Sequence, residues 1–277
     1  MRSVLITGGS GFLGQHLARE LIKTYDRVCI YSRSEHAQAN MREAFNDDPR
    51  LRWFIGDVRD KERLCLAAQG CDSVIGAAAL KRIEVGYYNP FEMVKTNVNG
   101  TQNTIEAAVQ GGAKNFVFVS SDKATNPKSC YGYTKALGES LTLNANHVYG
   151  HRGPKFKIVK YGNIAGSAGS CIPKWRDMLK TSSTVPVTDP EATRFWMYID
   201  DAVELILSAL EDDAPPISIP VLPAYRVGDL AEAMGAKINV IGLPDYEKLH
   251  EEMREGEPSN LARRLSVEEL HGMLSLI

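Results

Sequence analysis

Between Ser120 and Lys135 the chain reads S-S-D-K-A-T-N-P-K-S-C-Y-G-Y-T-K, a concentration of side chains that can move protons. Two hydroxyls (Ser120, Ser121), a carboxylate (Asp122) and an amine (Lys123) come first. Asn126-Pro127 then breaks the chain, and Tyr131 and Lys135 follow four residues apart. On a helix that spacing puts both side chains on one face. A phenol beside an ammonium loses its proton more readily, because the positive charge favours phenolate. Tyr-x-x-x-Lys is also an ordinary surface spacing, so its placement has to carry the argument. Here it lies just past Phe116-Val117-Phe118-Val119, an apolar run of the kind that forms a buried parallel strand.

A second such stretch opens the chain. Ser3–Thr7 reads as a short strand, followed by Gly8-Gly9-Ser10-Gly11-Phe12-Leu13-Gly14 and an amphipathic helix over about Gln15–Thr24. Glycines let backbone approach a pyrophosphate, and the helix N-terminus offers free N–H groups with a positive partial charge. Gly8, Ser10, Gly11, Phe12 and Leu13 are therefore the expected dinucleotide cradle. The second strand, Arg27–Tyr31, ends at Ser32-Arg33 with no carboxylate to grip ribose hydroxyls. A guanidinium there suits a 2′-phosphate, so NADP is expected over NAD.

The elements that must hold these stretches follow a strand–helix rhythm. A third strand, Arg52–Ile55, runs into Gly56-Asp57-Val58, with Asp57 and Val58 expected beside adenine. A fourth, Ser73–Ala77, runs into Ala77-Ala78-Ala79, small enough for a cofactor to lie against backbone. A long helix over roughly Pro90–Gln110 carries Asn97. The central helix runs from near Tyr131 to about Asn146, and Phe156–Tyr161 is a sixth strand. This alternation predicts an α/β fold, a Rossmann-type doubly wound parallel sheet, with ligands beyond the carboxyl ends of the strands.

After Tyr161-Gly162-Asn163 the rhythm changes. A loop at 166–170, a short helix over Pro173–Lys180 and an irregular Val185–Arg194 precede a clear helix at Ile199–Leu210. Short strands near Ile217–Pro220 and Lys237–Ile241, with helices near Val227–Met234, Tyr246–Glu255 and Ser266–Leu274, read as a small C-terminal lobe. The expected division is a dinucleotide-binding domain over 1–165, with returns from about 195–220, and a mainly substrate-binding lobe over 166–277.

Composition narrows the class. A net charge of −2 gives no reason to expect nucleic acid or an anionic membrane as partner. No apolar run is long enough to span a bilayer, and the chain enters a strand without a signal-peptide layout, so a cytoplasmic location is expected. The five cysteines include no Cys-x-x-Cys pair and the six histidines show no ligand spacing, so no metal is expected.

Taken together, these pieces resemble an extended short-chain dehydrogenase/reductase, a family that works on nucleotide-linked sugars. The likeness narrows to the inverting UDP-N-acetylglucosamine 4,6-dehydratases through Ala79-Leu80-Lys81-Arg82, Asn89-Pro90, Lys95-Thr96-Asn97, Ser121-Asp122-Lys123-Ala124 and Tyr131-Gly132-x-x-Lys135. Tyr161-Gly162-Asn163, Thr193-Arg194-Phe195-Trp196 and Glu247-Lys248-Leu249-His250-Glu251 extend it to about Met253. The Asp-Lys pair and the T-R-F-W block are its specific parts; epimerases and reductases share the glycine turn and Tyr-x-x-x-Lys. Two cationic positions of the family are absent: Ala168 stands for an arginine, and Leu243-Pro244-Asp245-Tyr246 lacks the arginine that normally precedes the glutamate.

The resemblance implies a redox-neutral dehydration. Oxidation of the sugar at C4 makes C5–H acidic; a base removes that proton, an acid protonates the departing C6 hydroxyl, and the hydride returns to C6. By resemblance Tyr131, aided by Lys135, takes the C4 hydroxyl proton. Lys123 is the C5 base, made neutral by burial near Lys135 and by an absence of nearby anions, Asp122 is the acid for C6, and Ser121 bonds the sugar. The division of labour between Asp122 and Lys123 stays open. Ala77, Ala78, Ala79, Lys81, Asn97 and Tyr161 join the cofactor set, with Lys81, Asn163, Arg194 and Glu247 toward substrate. A homo-oligomer is implied as well. An epimerase or reductase of the same extended family is the alternative.

Overall fold

The computed structural model describes residues 2–277. Its first half alternates β1 (Ser3–Thr7), α1 (Phe12–Leu21), β2 (Arg27–Ser32), α2 (Glu35–Ala44), β3 (Leu51–Ile55), α3 (Lys61–Ala68) and β4 (Ser73–Gly76). Short helices α4 (Ile83–Tyr88) and α5 (Pro90–Val94) lead through one widened turn at Lys95–Asn99 into α6 (Gly100–Gly111). Then come β5 (Asn115–Val119), α7 (Cys130–Tyr149) and β6 (Lys155–Val159). The second half holds β7 (Asn163–Ile164), α8 (Cys171–Leu179), β8 (Thr184–Val187), β9 (Thr193–Met197), α9 (Ile199–Ala209) and β10 (Ile217–Ser218). It ends with β11 (Ala224–Arg226), α10 (Val227–Ala233), β12 (Lys237–Val240) and α11 (Val267–Leu274).

Seven parallel strands form one sheet in the order β3-β2-β1-β4-β5-β6-β10. Every residue of β1 and of β5 is buried, because helices cover both faces. Alternate side chains feed two cores. Val4, Ile6, Val117, Val119 and Val159 face the side where α1 packs on α9. Leu5, Phe116, Phe118, Phe156 and Ile158 face α3, α6 and α7. The sequence reverses direction beside β1, and the carboxyl ends of β1, β4 and β5 open on the crevice so created.

The remaining strands form two small sheets, β7-β9-β11 and the parallel pair β8-β12. Between them β10 returns to the large sheet beside β6. A third core, including Ile172, Trp175, Val185, Trp196, Tyr225, Leu230 and Leu270, supports this half.

Several expectations are corrected. The first helix starts at Phe12, flush with the glycines, rather than at Gln15. Helices α2 and α3, which polar N-caps at Ser34 and Asp60 begin, were not anticipated. Val185–Arg194 is not irregular: it contributes to β8 and β9, whose Val185, Val187 and Thr193 are fully buried. Tyr246–Glu255 is not helical. Thr193 N–H donates to the Leu249 carbonyl at 2.9 Å, so this run lies extended along β9 and turns Lys248 and Glu251 inward. Its Lys/Glu spacing has a helical look, but the buried contacts outweigh propensity.

Candidate active site

The end of β1 is built for close approach. Thr7 Oγ1 accepts from the backbone N–H of Ala77 (3.1 Å) and Ala78 (3.2 Å), which fixes the end of β4 against it. Gly8 has φ +70°, and a Cβ there would stand 3.1 Å from Ala78 Cα. A Cβ on Gly14 would lie 2.4 Å from the Gly9 carbonyl oxygen. Helix α1 then begins without a side-chain cap, leaving its first-turn N–H groups open toward the cleft. Such a turn fits a pyrophosphate, which brings the anion that these donors and the helix dipole lack.

At the tip of β2, Ser32 Oγ is held by Ser10 Oγ (2.8 Å) and Gln38 Nε2 (2.9 Å). The Arg33 side chain is 56% exposed, and its carboxylate neighbour Asp57 is 3.9 Å away. Asp57 is engaged more closely by Arg59, through Nη2 at 2.7 Å and the backbone N–H at 2.9 Å. Burial works against its charge, but the Arg59 contacts prevail and hold its carboxyl below the usual range.

These features border one cleft of about 1530 Å³ that continues to the small sheets. Every candidate residue lines it except Asn97 and Asp122. Asn97 is buried behind the wall. Its amide accepts from Leu80 N–H (2.8 Å) and donates to Leu80 O (3.0 Å) and Thr134 Oγ1 (3.0 Å), so both amide N–H groups are spent. It therefore shapes the loop that presents Ala79 and Lys81, and does not reach into the cleft.

The central stretch is locked by packing. Ser129 caps α7 by accepting from Gly132 N–H at 3.1 Å, and a Cβ on Gly132 would come 2.4 Å from the Lys123 carbonyl oxygen. The turn that carries Asp122 and Lys123 thus sits directly on the first turn of the helix that carries Tyr131 and Lys135. Asp122 has no exposed surface and lies beneath Ser121 and Lys123. Its Oδ1 accepts from Ser121 Oγ (2.8 Å) and Lys123 Nζ (3.1 Å), while Oδ2 has no hydrogen-bond partner among the described residues. Burial pushes this carboxyl up, the Lys123 charge opposing.

Two expectations about charge are overturned here. Lys123 is not remote from anions. Its ammonium lies 3.1 Å from Asp122 Oδ1, 3.3 Å from Glu251 Oε1 and 3.3 Å from Asn163 Oδ1. Burial alone would lower it, but the two carboxylates prevail and raise it. Nor does Lys135 donate to Tyr131 among the described residues. It donates to the Val119 carbonyl, stands 3.9 Å over the Phe118 ring, and is lowered by burial to about 7. Tyr131 is raised by burial; the cation that opposes this is Lys123, with the Ser121 hydroxyl acting in the same direction.

At the far end, Arg194 on β9 is buried and donates to Thr193 O (2.7 Å), Leu249 O (3.1 Å) and Glu247 Oε1. Thr188 also reaches Glu247 Oε1, at 3.4 Å. The two predicted substrate residues are therefore each other's partner in this state. Sequence reasoning missed Glu251, Lys248 and the cleft-lining Arg82, Lys174 and Tyr246. Lys248 and Glu251 stand in a recognised block, and their three-residue spacing signals an ion pair, observed at 3.1 Å, but not its direction.

Comparison with known proteins agrees with this geometry. The family model described as "Polysaccharide biosynthesis protein" matches residues 4–267. UDP-N-acetylglucosamine 4,6-dehydratase (inverting) from Campylobacter jejuni is 40% identical over 266 residues, which is 94% of this chain and 79% of that one. UDP-glucose 4-epimerase from Rickettsia bellii is 33% identical over 268 residues, covering 92% and 78% of the two chains. The X-ray structure of Pen from Bacillus thuringiensis superposes with a TM-score of 0.95 at 31% identity, covering 99% of this chain and 97% of that one. By sequence, sheet order and cleft, the chain belongs to the polysaccharide biosynthesis protein family of extended short-chain dehydrogenase/reductases.

Proposed function

We propose that this protein is a nucleotide-sugar 4,6-dehydratase that acts on UDP-N-acetylglucosamine with inversion at C5 and works with NADP. The observation that carries the reading is the Asp122–Lys123 pair at the end of β5, joined at 3.1 Å and packed on the helix that bears Tyr131 and Lys135. An epimerase or reductase needs the phenol and the lysine of α7, but no acid–amine pair for removing water. The 40% identity to the C. jejuni inverting dehydratase supports the same reading.

A nicotinamide bound in this cleft supplies a reversible hydride acceptor. The glycine turn and the open first turn of α1 would hold its diphosphate, and Arg33 would meet a 2′-phosphate. Tyr131 would take the proton of the C4 hydroxyl, with Ser121 sharing the hydrogen bond. Lys123 lines the cleft, whereas Asp122 sits beneath it, which supports Lys123 as the one of the two that would meet the sugar. Asp122 would exchange protons through its bonds to Lys123 and Ser121. Arg194 would leave Glu247 to clamp the substrate diphosphate through two parallel hydrogen bonds. Exposed Tyr87, Tyr88 and Phe91 support a homo-oligomer.

Incubation of the pure protein with UDP-N-acetylglucosamine and NADP, followed by mass spectrometry, tests this. A product lighter by about 18 Da, the mass of one water, is expected, with no net cofactor consumption. An isomer of unchanged mass would make it an epimerase, and stoichiometric reduction of the added NADP, with the sugar two hydrogens lighter, an oxidoreductase.

A further inference from the structure

Glu251 belongs to no catalytic set so far described, yet it is almost completely buried and stands within an ion-pair distance of Lys123, an amine that lines the cleft. It is held there deliberately. Its backbone N–H donates to Ser259 Oγ at 3.0 Å and its carbonyl accepts from Ser259 N–H at 2.7 Å, which anchors the extended run beside β9. Oε1 is 3.3 Å from Lys123 Nζ, and Oε2 is 3.1 Å from Lys248 Nζ. Lys248 in turn donates to the Thr125 carbonyl at 2.7 Å, on the loop that leaves Lys123.

We propose that Glu251 is a positioning residue for the dehydration: its carboxylate holds Lys123 together with Asp122 and sets how readily that amine gives up and regains its proton. The proposal rests on the functional reading above. Lys123 must be a neutral amine to accept a proton and an ammonium to donate one, so whichever role it takes, the fraction in each form governs the rate. The groups facing Lys123 are Asp122 on its own turn, Tyr131 on α7, Asn163 on β7, Arg194 on β9 and Glu251. Those facing Glu251 are Lys123, Lys248 and Arg194. Among the ionic neighbours of Lys123, Arg194 is a cation, and burial pushes the Asp122 carboxyl up while Lys123 opposes, so its negative charge is the less firmly held of the two carboxylates. Glu251, which Lys123, Lys248 and Arg194 keep ionised, is the more firmly held negative charge beside Lys123.

The test is a side-chain 15N NMR titration of the lysines, with Lys123 identified by the signal lost in Lys123→Met. Glu251→Gln should lower the pH at which Lys123 titrates by about one to two pH units, a ten- to hundredfold gain in neutral amine. Glu251→Asp should restore part of that. Lys248→Met, which removes a competing cation, should move Lys123 the opposite way. The pH profile of kcat/KM should move in step, with the limb belonging to Lys123 displaced to lower pH in Glu251→Gln. Should Glu251→Gln fail to fold, Lys248→Met and Glu251→Asp decide alone. A folded variant set in which Lys123 titrates where it does in the parent protein overturns the proposal, whatever happens to stability. If no nucleotide sugar loses water, the functional reading falls, and the titration still tells whether Glu251 governs Lys123.

Discussion

Replacing Lys135 with methionine should make the protein more stable at neutral pH while removing its chemistry. Lys135 is 4% exposed, donates to the Val119 carbonyl and stands over the Phe118 ring at 3.9 Å; among the described residues no carboxylate forms an ion pair with it. Burial lowers it from its ordinary 10.5 to about 7. With a tenfold change in acidity equal to about 1.4 kcal/mol, holding that ammonium inside costs about 5 kcal/mol. The ring returns about 1–2 kcal/mol, and a methionine would leave the Val119 carbonyl short of a donor at about 1 kcal/mol. A net gain of about 2–3 kcal/mol remains. The sign follows from proton binding. Below pH 7 folded and unfolded chains both carry the charge, and the cost is complete. Between pH 7 and 10.5 the unfolded chain binds a proton that the folded one does not, so stability rises with pH and the cost fades. Urea unfolding of both proteins without cofactor at pH 6.5, 8 and 9.5 reads this directly. The variant should lead at pH 6.5, and its lead should shrink as pH rises. A lead that is absent at pH 6.5, or constant across the series, would refute the claim that Lys135 is buried as a poorly compensated charge.

Lys123→Ala should abolish formation of the dehydrated product while cofactor binding, measured by fluorescence or calorimetry, persists; normal turnover would remove Lys123 from the reaction. Arg33→Ala should weaken NADP more than NAD by about 1–3 kcal/mol, the range for a charge-assisted hydrogen bond, and equal losses would void the cofactor preference. Gly132→Ala must place a Cβ where the Lys123 carbonyl oxygen now stands at 2.4 Å, with Pro127 Cβ at 3.0 Å. Overpacking of this kind costs about 1–3 kcal/mol, seen as a lower unfolding midpoint, and it should cut kcat more than KM because it shifts the turn that carries Lys123. Parent-like stability and turnover in that variant would show that the turn and helix are not in register as described.

The large sheet was legible because its strands are short unbroken apolar runs, the signature of parallel strands covered on both sides, with glycine or small residues at their ends. The glycine turn and Tyr131/Lys135 could be placed from the same pattern, since each follows such a run. Harder to read was the second half, where elements are short and earn their burial from distant partners. Thr193–Met197 became a strand through pairing with β7 and β11, neither of which is adjacent in sequence. The 246–255 run has helical composition and was drawn out by the Thr193–Leu249 and Glu251–Ser259 hydrogen bonds. Asn97 illustrates a further limit: a polar residue in a motif can serve the backbone behind the cleft rather than the ligand in it. Glu251 stands 128 positions from Lys123, and no local spacing announces such a pair.

The two lysines of the central stretch show why residue type and motif do not settle a proton's position. Lys123 and Lys135 lie on adjacent turns of packed structure and both are removed from water, which by itself lowers an amine. Two carboxylates reverse that for Lys123, so it keeps its proton. The Glu139 charge opposes burial at Lys135 without reversing it, so this lysine stands ready to change charge near neutrality. Environments that push like groups apart in this way are how one cleft comes to hold a donor and an acceptor at a single pH. The arrangement also explains the uneven cost of the site. The carboxylates that keep Lys123 charged are themselves buried, and Glu251 is tolerable only because Lys123, Lys248 and Arg194 share its charge. Removing any one of these partners unbalances the shared charge in the protein interior, so the extended segment that brings Glu251 and Lys248 inward is bound to the chemistry of β5 and not merely packed beside it.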